Sequence, residues 1–152
     1  MKQESLFAGR KAEGAFEAIA NIDGGARGNP GPAAYGVVVR NPRGEVLAEL
    51  SDYLGLQTNN FAEYSGLLAA LEYAAQARYQ SFKVFSDSEL LVRQMQGRYK
   101  VSSPGLKPLY DKARRLVDRF HVFAIEHVLR ERNKDADRLV NQVLDSRQRS
   151  RF

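Results

Sequence analysis

Thr58-Asn59-Asn60-Phe61-Ala62-Glu63-Tyr64 is the stretch on which the reading of this chain turns. It has the character of a helix start, because Asn59 or Asn60 can accept a hydrogen bond from a free N–H of the first turn. Apolar residues then recur at helical spacing (Tyr64, Leu67, Leu68, Leu71, Ala74 and Ala75) and predict a helix over residues 60–78. Glu63 falls in the first turn of that helix, beside its apolar stripe. A carboxylate there is either favoured by the helix dipole or placed for chemistry, and the rest of the chain decides which.

On the N-terminal side, residues 16–23 alternate as a strand should: Phe16, Ala18, Ala20 and Ile22 share one face, and Glu17, Ile19, Asn21 and Asp23 the other. Residues 24–32, Gly-Gly-Ala-Arg-Gly-Asn-Pro-Gly-Pro, read as a turn-rich loop. A second strand over residues 34–40 carries Val37-Val38-Val39. The turn Asn41-Pro42-Arg43-Gly44 folds a third strand, residues 45–53, back on it as a hairpin. On the C-terminal side a short buried strand over residues 82–86 ends at Asp87, and Ser88 begins a helix that stops near Gly97. Pro104 opens a further helix with Leu106, Leu109, Tyr110, Ala113, Leu116 and Val117 as its stripe, Pro being suited to a first helical turn. Residues 121–129 form a fifth strand. Asn133 caps a last helix with Ala136, Val140, Val143 and Leu144 on its apolar side. The order β β β α β α α β α predicts an α/β fold: a five-stranded mixed sheet, part antiparallel meander and part parallel, flanked by helices. The expected organisation is one domain over residues 15–147, a loose tail over residues 1–14 and a basic tail over residues 148–152.

The totals narrow the function classes. A chain of 152 residues, 43% hydrophobic and 27% charged, can bury a real core as one domain. There is no cysteine, which excludes disulfides, thiol nucleophiles and cysteine metal sites, and two histidines leave little for a histidine-rich zinc site. No apolar run is long enough to span a membrane and no signal peptide is visible, so a cytoplasmic location is expected. The net charge of +5 is uneven. Residues 1–92 hold 8 Lys+Arg against 11 Asp+Glu, and residues 93–152 hold 15 against 7. That asymmetry points to a polyanionic partner, though a solvated basic face explains it equally well.

Four acids stand out by position. Asp23 ends the first strand, Glu63 and Asp137 occupy first turns of helices, and Asp87 ends the fourth strand. An acid bordering a core is costly unless it is paired, hydrogen-bonded or bound to a metal. Taken singly, each has an ordinary structural reading as dipole partner, cap or turn former. If strands one and four are neighbours, the four can converge at one end of the sheet. Converging carboxylates without His or Cys suit hard cations, Mg²⁺ or Mn²⁺, and such clusters can hold two metals flanking a phosphodiester.

Asp23-Gly24-Gly25 with Gly28-Asn29-Pro30-Gly31-Pro32, Thr58-Asn59-Asn60 with Glu63, Ser86-Asp87-Ser88, and the run over residues 133–137 together resemble the type 1 ribonuclease H family. The resemblance covers about residues 16–145. It implies a metal-dependent endoribonuclease that cuts the RNA strand of RNA–DNA hybrids and leaves 5′-phosphate and 3′-hydroxyl ends. It also implies two Mg²⁺ ions, with Mn²⁺ as an alternative. Asp23 would bridge both metals, Glu63 and Asp87 would hold one and Asp137 the other. Glu63 would also sense a ribose 2′-hydroxyl, the group that separates RNA from DNA. Asn29, Asn59 and Asn60 match minor-groove contacts, and Thr58 matches a contact to a DNA-strand phosphate. The expected partner is an RNA–DNA hybrid, with double-stranded RNA as a further candidate, no membrane and a monomeric chain.

The chain departs from the best-known bacterial pattern of that family. Residues 96–103 are a short link where many members carry a basic helical protrusion, so the chain is similar to the handle-less, archaeal-like branch. Arg93, Arg98, Lys100, Lys107, Arg114 and Arg115 are the cations that can compensate. The loop Arg130-Glu131-Arg132-Asn133 lacks the family's histidine, leaving Glu131 or Arg130 as substitutes, and His127 lies inside the fifth strand. Glu89 stands where many members have Gln. Two other readings remain: a non-cleaving nucleic-acid-binding module of the same fold, and a strand-transfer enzyme.

Overall fold

The computed structural model describes residues 16–149; the expected tail over residues 1–14 and residues 150–152 of the expected basic tail lie outside them. Five strands form one mixed sheet: β1 (Ala18–Ala26), β2 (Gly31–Arg40), β3 (Val46–Gln57), β4 (Ser81–Ser86) and β5 (Val122–His127), in spatial order β3-β2-β1-β4-β5. β1, β2 and β3 pair antiparallel as the meander requires. β4 joins β1 in parallel and β5 joins β4 in parallel. Four helices flank the sheet: α1 (Asn59–Gln76), α2 (Glu89–Met95), α3 (Lys107–Val117) and α4 (Lys134–Arg149). Among the described residues no helix is long and apolar enough to cross a membrane.

The two faces of the sheet carry different helices. Ala18, Ala20, Ile22, Val37, Val39, Val84, Phe123 and Ile125 form the main core with Tyr64, Leu67 and Leu71 of α1. On the opposite face Ala34 packs with Val140 and Leu144 of α4. Two glycines let these helices sit close. A Cβ at Gly24 of β1 would stand 2.3 Å from the carbonyl of Ala62, and one at Gly36 of β2 would stand 2.5 Å from the carbonyl oxygen of Ala136. Only glycine permits such backbone approaches.

Several element ends differ from the sequence reading. The expected turn over residues 24–32 shrinks to residues 27–30, because Gly24, Gly25 and Ala26 pair with Tyr35, Ala34 and Ala33 and the ladder outweighs their poor strand propensity. β3 runs on to Gln57, with a register shift opposite Ala33/Ala34 accommodated near Gly55, whose φ is 77°. The cap of α1 is Thr58, whose Oγ1 accepts the Phe61 N–H at 3.1 Å, and neither Asn59 nor Asn60. Glu63 is therefore the fifth residue of its helix and lies beyond the first turn, where the dipole reading had put it. α3 starts at Lys107 and not at Pro104. Leu106 and Lys107 both donate to the Ser103 carbonyl in a preceding turn, and Pro108 takes the first-turn place. β5 ends at His127, short of Leu129, and α4 continues through residues 148–149, where the tail was placed.

Candidate active site

The parallel pairing of β1 and β4 registers Ile22 against Ser86, so the next residues along, Asp23 within β1 and Asp87 just past the end of β4, come side by side. Gly24 brings the Ala62–Glu63 backbone of α1 against β1, which delivers Glu63 from one face. Gly36 and Asn133 seat α4 on the other face. The buried Asn133 donates to the Ile22 carbonyl at 2.8 Å and accepts from Asn21 Nδ2 at 3.0 Å. Its side chain thus ties α4 to β1, where the sequence reading gave it a capping role. Asp137 follows in the first turn of α4. All four predicted acids line one cleft of about 300 Å³, together with Gly25, Arg27, Asn59, Arg130 and Asn141.

The electrostatics of the cleft favour added positive charge. Asp23 is pushed up to about 8, chiefly by burial and then by the neighbouring Asp87 charge; the Gly24 N–H, donated to Asp23 Oδ1 at 2.9 Å, opposes this, and Asp137 adds a further upward push. Glu63 is pushed up to about 7 by burial, with a hydrogen bond from Ser88 opposing and Asp87 adding. Such groups take up either protons or a cation. The donor set is all carboxylate, which suits a hard divalent ion. Among the described residues no three acids already stand as a closed ligand cluster; the four share a cleft.

The predicted substrate contacts have structural partners of their own. Asn59 Oδ1 accepts the Ala26 N–H at 2.8 Å, and Asn29 Oδ1 accepts the Asn59 N–H at 3.0 Å. Thr58 caps α1, and Asn60 is exposed. Of these four, only Asn59 lines the cleft. Of the two candidates for the missing histidine, Arg130 lines the acid cleft. Glu131 borders a separate depression with Asn21, Arg40 and Asp135. His127 is exposed at the end of β5. Sequence reasoning missed Arg27 and Asn141, for neither belongs to a motif and their meeting depends on how α4 crosses the β1–β2 loop.

A family model described as reverse transcriptase-like matches residues 21–143. The chain is 45% identical over 132 residues to the "Bifunctional protein Rv2228c" of Mycobacterium tuberculosis, a match covering 86% of this chain and 36% of that protein. The solved N-terminal RNase H domain of that protein superposes with a TM-score of 0.85 at 43% identity, covering 90% of this chain and 99% of that one. "Ribonuclease HI" of Halobacterium salinarum is 42% identical over 126 residues, 83% of this chain and 63% of that protein. The structure of LC11-RNase H1 in complex with an RNA/DNA hybrid matches at TM-score 0.81 and 43% identity, over 86% of this chain and 99% of that one. The chain spans about a third of the length of the mycobacterial relative.

Proposed function

The chain belongs to the type 1 ribonuclease H family, and from that membership we propose that it hydrolyses the RNA strand of RNA–DNA hybrids, leaving 5′-phosphate and 3′-hydroxyl ends. The observation that carries the proposal is the convergence of Asp23, Glu63, Asp87 and Asp137 on one cleft. Asp23 with Glu63 and Asp87 would hold one Mg²⁺ and Asp23 with Asp137 a second; bound there, the ions supply an activated water and neutralise charge on the leaving oxygen. The residues themselves do the positioning. The raised carboxyls of Asp23 and Glu63 give up their protons when positive charge arrives, so the cleft is primed for a cation and not for a bare phosphate.

Substrate selection falls to the neighbouring amides. Asn29 and Asn59 each use their carbonyl oxygen internally, which leaves each NH₂ to donate to acceptors in a minor groove or to a 2′-hydroxyl. Thr58 and Asn60 are exposed at the start of the helix that carries Glu63, which supports a role at the sugar-phosphate edge. Arg130 lines the same cleft, which supports it over Glu131 as the substitute for the absent loop histidine and as a cation for a phosphate oxygen. A monomeric state and a cytoplasmic setting follow the sequence expectation.

A labelled RNA–DNA hybrid should be cut in the RNA strand with Mg²⁺ or Mn²⁺ and spared with EDTA. Asp23→Asn and Asp87→Asn should each abolish cutting while hybrid binding survives. Binding without cutting by the wild type, across both metals and a range of pH, would favour the binding module instead. Duplex RNA, duplex DNA and a chimeric junction run alongside define substrate breadth.

A further inference from the structure

The four acids of the cleft are held unequally. Asp23 is fixed within β1, Asp87 directly follows the adjacent β4, and Glu63 is set by the approach of α1 at Gly24. Asp137 alone rides on α4, on the other face of the sheet, so its carboxylate depends on how that helix is seated and how the side chain is turned. One turn on, Asn141 Nδ2 donates to the Asp137 carbonyl at 3.2 Å and to Asp137 Oδ2 at 3.3 Å. Asn141 Oδ1 in turn accepts from Arg27 Nη2 at 3.2 Å. A guanidinium only donates, so Arg27 fixes which end of the Asn141 amide faces it and turns the NH₂ toward Asp137.

Arg27 is itself well anchored. Its guanidinium meets Asp145 Oδ1 at 2.7 Å and Gln148 Oε1 at 3.3 Å. Its N–H closes the loop onto the Pro32 carbonyl at 2.9 Å, and the preceding Ala26 N–H is held by Asn59 of α1. The loop therefore braces the helix carrying Glu63 against the helix carrying Asp137. An Asn bonded to the carbonyl four residues back is an ordinary surface feature of helices. The second bond to the carboxylate, the fixed amide orientation and the place of both Arg27 and Asn141 in the cleft lining are not.

We propose that Asn141, oriented by Arg27, is a positioning residue that holds the Asp137 carboxylate ready for a divalent cation; this rests on the reaction proposed above. Partners that orient a ligand in this way typically contribute about ten- to a hundredfold in metal affinity or rate. The test measures Mn²⁺ binding by calorimetry, hybrid cleavage and thermal unfolding on the full chain. Asn141→Ala should weaken Mn²⁺ binding and lower kcat by about tenfold, with KM unchanged and Tm within about 2 °C of wild type. Asn141→Gln, which keeps a donor at reach of the residue four back, should restore most of both. Arg27→Ala should act in the same direction, and the double variant should be no worse than Asn141→Ala alone. Wild-type Mn²⁺ affinity in Asn141→Ala overturns the proposal, as does a wild type that binds no Mn²⁺. So does loss in both Asn141 variants in step with a fall in Tm, which marks a merely structural residue. If the wild type binds Mn²⁺ but cuts no hybrid, the proposed reaction fails and the calorimetry alone decides the positioning role.

Discussion

Asp23 shows in one side chain how the site is set against the fold. Its carboxyl, pushed up to about 8 from the ordinary 3.8, holds its proton far more tightly in the folded chain than in the unfolded one. Stability from that group is present in full below about pH 4 and is lost as pH rises through about 8, because the folded state must then carry the buried charge. Metal-free Asp23→Asn should therefore melt close to wild type at pH 4 and several degrees above it at pH 8.5. Equal melting temperatures at pH 8.5 would show that the folded chain carries the Asp23 charge without cost. The same proton must leave when a cation binds. The divalent-metal concentration giving half-maximal cleavage should then fall by up to about tenfold for each pH unit between roughly 6 and 8. A flat dependence would mean that the acids are ionised before the metal arrives.

At the level of elements, the site depends on how closely two helices approach the sheet. A Cβ at Gly24 would stand 2.3 Å from backbone atoms of Ala62 and 2.5 Å from the Glu63 nitrogen, none of which can yield without moving α1. Gly24→Ala should destabilise the fold by about 3 kcal/mol and lower the cleavage rate of the folded fraction by about a hundredfold, since an ångström of displacement at the acids costs that much. Gly44→Ala, at a φ of 87° with nothing within 4 Å, should cost only about 1 kcal/mol and leave the folded enzyme's rate intact. Unfolding curves read with single-turnover rates separate the two. The strands of the meander, the α1 stripe and the four acids were legible because each follows a local period or motif. The residues that fix distances were not. Asn133 read as a cap, yet its side chain joins α4 to β1 across 111 residues. The run Gly24-Gly25 read as a turn, yet it lies within a ladder. Pairing partners and helix approach are tertiary facts, and they override the local preferences from which a sequence is read.

For the whole molecule, the question is which cations of the basic second half are free to meet a polyanion. Several named from the sequence are engaged within the chain. Arg93 bonds Tyr99 and Glu89, Lys107 pairs with Asp111, and Arg114 donates to the Met95 carbonyl at 2.9 Å. Arg98, Lys100 and Arg115 are exposed, with no side-chain partner among the described residues. Arg98 and Lys100 flank the half-exposed Tyr99 in the short link after α2, the helix that begins two residues beyond Asp87. α2 spans seven residues, about 10 Å at the helical rise, so a duplex lying over the acids and along α2 would reach this link within a few phosphates. Each phosphate contact neutralised by a cation contributes about 0.9 to the slope of log affinity against log salt for duplex DNA. In a non-cleaving Asp23→Asn background, Arg98→Ala with Lys100→Ala should therefore weaken hybrid binding and make the slope shallower by close to 2, measured by fluorescence anisotropy over about 50–200 mM salt. Lys107→Ala, whose charge is already paired, should change the slope by much less. A double variant with the wild-type slope would place the phosphate grip elsewhere on the basic half, with Arg115 the next cation to replace.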